Sequence, residues 1–210
     1  MESMTGIILL CTAVPLAILS LVLSRNARTV CLFLVAGSVV AAIAVVADNW
    51  LMSTLPKSPY YITTNLTPLL EEILKAIPPL IYAFLAKPDR RTMLSVAMAT
   101  GVGFALIENS YVLMGNIGTV TILWAILRVF GASLMHGLTT GIVGLGLSYV
   151  RTRKKMFYTG TFALLLIASV YHAIFNSLIQ SHLFLLGTGL SILTSILIIV
   201  PLYRKKQKNG

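Results

Sequence analysis

The sequence predicts an all-α, polytopic membrane helix bundle of about seven transmembrane helices, a single integral-membrane domain over 1–210. Composition is the first ground: 57% of the 210 residues are apolar and 10% charged, with mean hydropathy +0.91. A soluble domain carries roughly 25% charged residues. The second ground is the division of the chain into apolar runs of about 20 residues, the length that crosses a bilayer. The third is the placement of the basic residues between those runs. A soluble enzyme, a disordered chain and a nucleic-acid-binding module are excluded, because too little polar surface is available. The formal net charge of +10 sits in short clusters that set topology, so no nucleic-acid partner is expected.

The first run, 5–24, follows Met-Glu-Ser-Met-Thr, which lacks the positive region and cleavage site of a signal peptide. It is therefore expected to be a permanent span. The second is 30–49. Cys11 and Cys31 lie in these two runs and read as reduced, buried thiols. A longer connector, Asp48 to about Asn65, carries Trp50, Tyr60 and Tyr61, which suit the headgroup level. Thr67-Pro68 opens the third run, 67–86, with proline at a helix start. Pro78 and Pro79 free carbonyls near Leu74 and Lys75. The fourth run is 93–114. The fifth, 119–150, is too long for an untilted span, and its first part, through Trp124 and Arg128, is expected along the outer interface. Gly101, Gly103, Gly131, Gly137, Gly141 and Gly144 would bring the fourth and fifth helices close together. The sixth and seventh runs are 157–180 and 184–203.

Arg25/Arg28, Lys87/Arg90/Arg91, Arg151/Arg153/Lys154/Lys155 and Arg204/Lys205/Lys206/Lys208 fill every second connector, whereas the others hold only Lys57. The positive-inside rule then puts the basic loops and the C-terminus in the cytoplasm and the N-terminus outside, in a multi-pass protein of the cell membrane.

Ionisable groups inside spans are costly and mark function by default. Glu71, Glu72 and Lys75 lie in the third span, Glu108 in the fourth, His136 in the fifth, and His172 with Asn176 in the sixth. Counted from the basic loops, Glu72, Glu108, His136 and His172 lie 15 to 17 residues deep. At 1.5 Å per residue they share one layer, about 22–26 Å from the cytoplasmic side. Lys75, at i+3 and i+4 from the two glutamates, reads as their counter-ion. Arg128 reads as an interfacial snorkeller, and Asp48 as a loop residue.

Carboxylates facing imidazoles in a dry cavity can activate water. His172 and Asn176, four residues apart, could donate to a developing oxyanion. Glu72, Glu108, His136 and His172 also form a donor set suited to catalytic zinc. A glutamate base working without metal is the alternative. No H-E-x-x-H motif occurs.

These residues carry a resemblance. Glu71-Glu72-Ile-Leu-Lys75 resembles the E-E-x-x-K motif of the PrsW family of intramembrane proteases, and Phe104-Ala-Leu-Ile-Glu108 its F-x-x-x-E motif. His136 and the pair His172 and Asn176 are similar to the histidine-bearing motifs that follow, in the same order. The wider group includes CAAX prenyl-proteases, bacteriocin-immunity-type proteins and the scaffold subunit of gamma-secretase. Glu108 stands where the CAAX branch has histidine. The resemblance implies an active-site core over about 67–180 and hydrolysis of membrane-protein substrates near the outer half of the bilayer, with an anti-sigma-factor-like protein as a substrate type. It makes Glu71 or Glu72 the water-activating base and has Glu108 and His136 assist or bind metal. It has His172 and Asn176 position the substrate carbonyl. A proton- or cation-coupled transporter and a non-catalytic membrane scaffold are the alternative readings of the polar layer.

Overall fold

Apolar runs of this length become helices because no backbone polar group can be left unpaired in hydrocarbon. The computed structural model describes residues 2–116, 118–149 and 153–208, and among these there is no strand. Among the described residues there are seven long helices: α1 (Glu2–Val22), α2 (Arg25–Thr54), α4 (Thr67–Ala86), α5 (Arg90–Gly115), α6 (Ile122–Leu147), α7 (Lys154–Ile179) and α8 (Phe184–Lys208). A single turn, α3 (Pro59–Tyr61), and a π-helical stretch, Ile62–Leu66, precede α4. Arg151 and the side chains of the C-terminal basic cluster lie outside the described residues.

By length and composition, α2, α5, α6 and α7 can cross a membrane. The apolar stretch of α4 is interrupted by three charged residues, Glu71, Glu72 and Lys75. Large apolar side chains such as Leu21, Ile43, Ile81, Phe162 and Leu197 point outward. Charged and polar ones such as Glu72, Lys75, His136 and His172 are fully enclosed. That inversion suits a lipid exterior.

The structure departs from the sequence expectations at four places. α2 continues to Thr54, so Asp48 is helical and partly buried, not a loop residue. α6 is one helix from Ile122, and Arg128 is 5% exposed rather than interfacial. A buried ion pair holds it there. Cys11 is exposed, although Cys31 is buried. The glycines also divide differently. A Cβ on Gly101 would meet the His136 carbonyl of α6, but one on Gly103 would meet the Leu34 carbonyl of α2. Residues two positions apart on a helix are rotated by about 200°, so this pair faces two different neighbours of α5, namely α6 and α2. Gly131 packs on Thr188 of α8, and Gly37 of α2, absent from the predicted set, abuts the Thr100 carbonyl. Ser38 Oγ donates to the Gly103 carbonyl at 3.0 Å, fastening α2 to α5.

Gly101→Ala is expected to destabilise the bundle by about 1–3 kcal/mol, because the added methyl meets backbone. Thermal unfolding in detergent measures it, and an unchanged midpoint contradicts the close approach.

Asp89 caps α5, its carboxylate accepting from Thr92 N at 2.7 Å. That bond holds its pKa below the usual value of 3.8. The cap is therefore complete above that range and is lost as pH falls through the depressed pKa. Asp89→Ala is expected to cost about 1 kcal/mol, seen as faster amide exchange in the first turn of α5 at neutral pH. The difference from wild type should vanish in acid.

Candidate active site

α4 begins directly after the π-helical turn, a feature found often beside functional sites. Its helical spacing places Lys75 one turn from both Glu71 and Glu72. Glu72 Oε1 is the hub. It accepts from Lys75 Nζ at 2.6 Å, from His172 Nδ1 at 2.9 Å and from Thr139 Oγ1 at 3.2 Å. Lys75 Nζ also lies 2.8 Å from His136 Nδ1, 3.7 Å from Glu71 Oε2 and 4.3 Å from the centre of the Phe104 ring. On the other side of His136, Nε2 is 2.5 Å from Glu108 Oε2. Glu108 Oε1 accepts from Arg128 at 3.0 Å. The two imidazoles meet edge to face with centres 4.8 Å apart. The four ionisable groups predicted to share a layer thus form one bonded network.

The donors determine the tautomers. An ammonium has no lone pair, so His136 Nδ1 accepts from Lys75 and Nε2–H donates to Glu108. In neutral His172, Nδ1–H donates to the Glu72 carboxylate, which leaves the Nε2 lone pair free. His172 Nε2 and Glu71 Oε2 are both buried without a hydrogen-bond partner. They face each other at 3.7 Å, too far for a direct hydrogen bond.

A cavity of about 670 Å³ runs between α2, α4, α5, α6 and α7. Its lining comes from the end of the bundle opposite the basic connectors: Asp48 and Asn49 late in α2, Asn116 after α5, Trp124 early in α6 and Gln180 after α7. Glu71 and Glu108 reach its floor, but Glu72, His136 and His172 are enclosed behind it. Asn176 lines the cavity with its Nδ2 donating to the Thr63 carbonyl at 3.0 Å. This bond ties α7 to the π-helical turn and leaves the amide's second N–H.

Of the residues predicted for catalysis, Glu71, Glu72, Glu108, His136 and His172 gather in this network, and Asn176 stands at its rim. Arg128, Thr139 and Asp48 were missed. The signal for Arg128 lies in the sequence, because a carboxylate buried in a span needs a cation and Arg128, beside a span, is the basic residue other than Lys75 placed to supply one. Asp48 accepts from Thr67 Oγ1 at 2.9 Å, a contact between helices that spacing along one helix does not reveal.

Three residues, Glu71, His136 and His172, offer ligand atoms within 4.8 Å of one another. Of the predicted metal set, this trio contains His136 and His172. Glu72 and Glu108 instead stand behind the histidines as hydrogen-bond acceptors, the place carboxylates often take around a metal. The orphaned Glu71 Oε2 and His172 Nε2 fit a small divalent ion. Their 3.7 Å separation is near the roughly 3.3–3.5 Å between ligands of a tetrahedral zinc with bonds of about 2.0–2.1 Å.

The model of the PrsW family intramembrane metalloprotease matches residues 25–204. The chain belongs to the PrsW family. No curated protein and no solved structure matches it. As a PrsW protease it is a multi-pass membrane enzyme, and its substrates are membrane proteins met in the bilayer. The match takes in every residue of the network, from α2 to the last turns of the bundle. The family's description as metalloproteases agrees with the donor trio at Glu71, His136 and His172.

Proposed function

We propose that this PrsW protease hydrolyses a peptide bond using a water held between Glu71 and His172. The observation that carries this is the pair of facing, unpartnered acceptors, Glu71 Oε2 and His172 Nε2. A water there donates one hydrogen to each and turns its own lone pairs outward. Glu71, at the cavity floor, takes the proton as the oxygen attacks the scissile carbonyl, then returns it to the leaving amine. His172 holds the water, and the Glu72 carboxylate keeps His172 in the tautomer that can accept. Glu108 fixes His136 in the same way. The second N–H of Asn176 points the role of oxyanion donor to the rim of the cavity. Glu71 is thus the base, and Glu72 supports it.

A metal, with zinc as the proposed ion, would be held by Glu71, His136 and His172 and would supply acidification of the attacking water. A metal-free glutamate base is the other form of the same proposal.

The positive-inside pattern supports a cell-membrane protein with its N-terminus outside and its C-terminus cytoplasmic, and the packing of the helices on one another supports a single domain over 1–210. The cavity then opens toward the outer half of the bilayer. A peptide segment unwound from a transmembrane helix would enter there, and an anti-sigma-factor-like membrane protein is the proposed type of substrate. Purified protein in liposomes should cut a reporter transmembrane segment nearer its outer end. No cleavage of any reporter, with or without added zinc, would overturn the reading.

A further inference from the structure

We propose that the Lys75 ammonium and a divalent metal ion are alternative occupants of one acid–imidazole cage, so that Lys75 sets the metal affinity. This goes beyond hydrolysis and does not depend on it.

The cage is built around a cation. Lys75 Nζ touches Glu72 Oε1 at 2.6 Å and His136 Nδ1 at 2.8 Å, with Glu71 Oε2 at 3.7 Å and the Phe104 ring face at 4.3 Å. The side chain is completely buried, and its stem rises from the middle of α4, so no water competes for the ammonium. Two of these neighbours, Glu71 and His136, belong to the trio whose ligand atoms converge within 4.8 Å.

His136 cannot serve both cations at once. Its Nδ1 lone pair accepts from Lys75, and its Nε2–H is committed to Glu108 at 2.5 Å. No lone pair remains for a metal until Lys75 leaves Nδ1. Charge works in the same direction, because a divalent ion on Glu71 would stand beside an ammonium already 3.7 Å from that carboxylate. Like charges at such separation in a dry site repel strongly. An exit exists, since Glu72 Oε2 is buried and unpartnered. The ammonium can swing onto that oxygen and release His136, and metal binding must drive the swing.

The test is metal affinity, not cleavage. Full-length protein in detergent is titrated with zinc and with cobalt(II) against a chromophoric chelator. Wild type should bind weakly. Lys75→Met keeps the stem, removes the ammonium, and should bind about 10- to 100-fold more tightly, the range over which surrounding groups tune a metal site. Because Lys75→Met leaves two buried carboxylates without their cation, Glu72→Gln/Lys75→Met is measured beside it. That variant restores the charge balance and keeps an acceptor for His172 Nδ1. Adding His172→Ala to either should remove the gain, which places the ion in this cage. Equal affinity in wild type and the variants would overturn the proposal, as would a gain that survives His172→Ala. One zinc per wild-type chain retained through dialysis against EDTA would overturn it without any variant. A wild type that cuts no reporter yet shows these affinities would count against the protease mechanism and not against Lys75.

Discussion

Glu71→Gln is expected to lower cleavage by about 10²–10⁴-fold, the usual contribution of a general base, while the protein stays folded. The two halves of that expectation have separate grounds. Glu71 Oε2 has no hydrogen-bond partner, and Glu71 is the member of the adjacent pair that reaches the cavity. The amide fills the same space but cannot take a proton from water. Lys75 keeps its closer partner, Glu72 at 2.6 Å, so its charge remains compensated. Turnover of a reporter transmembrane segment gives the first number, and thermal unfolding in detergent the second. Wild-type turnover in Glu71→Gln would remove this residue as the base.

Glu72→Leu should do the opposite and unfold the protein before chemistry can be measured. Three bonds end at Glu72 Oε1, from Lys75, His172 and Thr139. Leucine removes all of them and leaves a fully buried ammonium with Glu71 at 3.7 Å. Breaking a buried ion pair from one side costs about 3–5 kcal/mol. That is a large part of the total stability of an ordinary domain. Glu72→Gln should cost less, since its carbonyl still accepts. Removing both partners in Glu72→Leu/Lys75→Leu should recover much of the loss, because a neutral pair is often tolerated in place of a buried salt bridge. Equal unfolding midpoints for wild type and Glu72→Leu would rule out the clamp.

These two predictions separate neighbours that the sequence treats alike. Glu71 and Glu72 occupy consecutive positions in one motif, and both read as the possible base. They lie about 100° apart around α4, and that rotation sends one to the cavity and the other into the junction with α6 and α7. Which rotation faces which neighbour depends on helix packing. Arg128 makes the same point. Its position in an overlong apolar run suggested the interface, but the carboxylate of Glu108, 20 residues earlier, draws it into the protein interior. Buried carboxylates need cations, so the requirement was legible, but the partner was not.

What the sequence determined by itself was the class of protein, the seven long helices and the residues of the polar layer. Hydrocarbon imposes these directly: it requires apolar runs of membrane length, and it makes every buried charge expensive enough to stand out. The tertiary structure decided which lone pairs are spent and which are free. Lys75 takes the His136 nitrogen, Glu72 takes the His172 N–H, and Glu71 and His172 are left facing one another. Those assignments turn on differences of about an ångström between side chains from α4, α6 and α7. Distances of that kind are set by how the helices cross and how closely Gly101 lets α5 approach α6, and one-dimensional spacing carries no record of them.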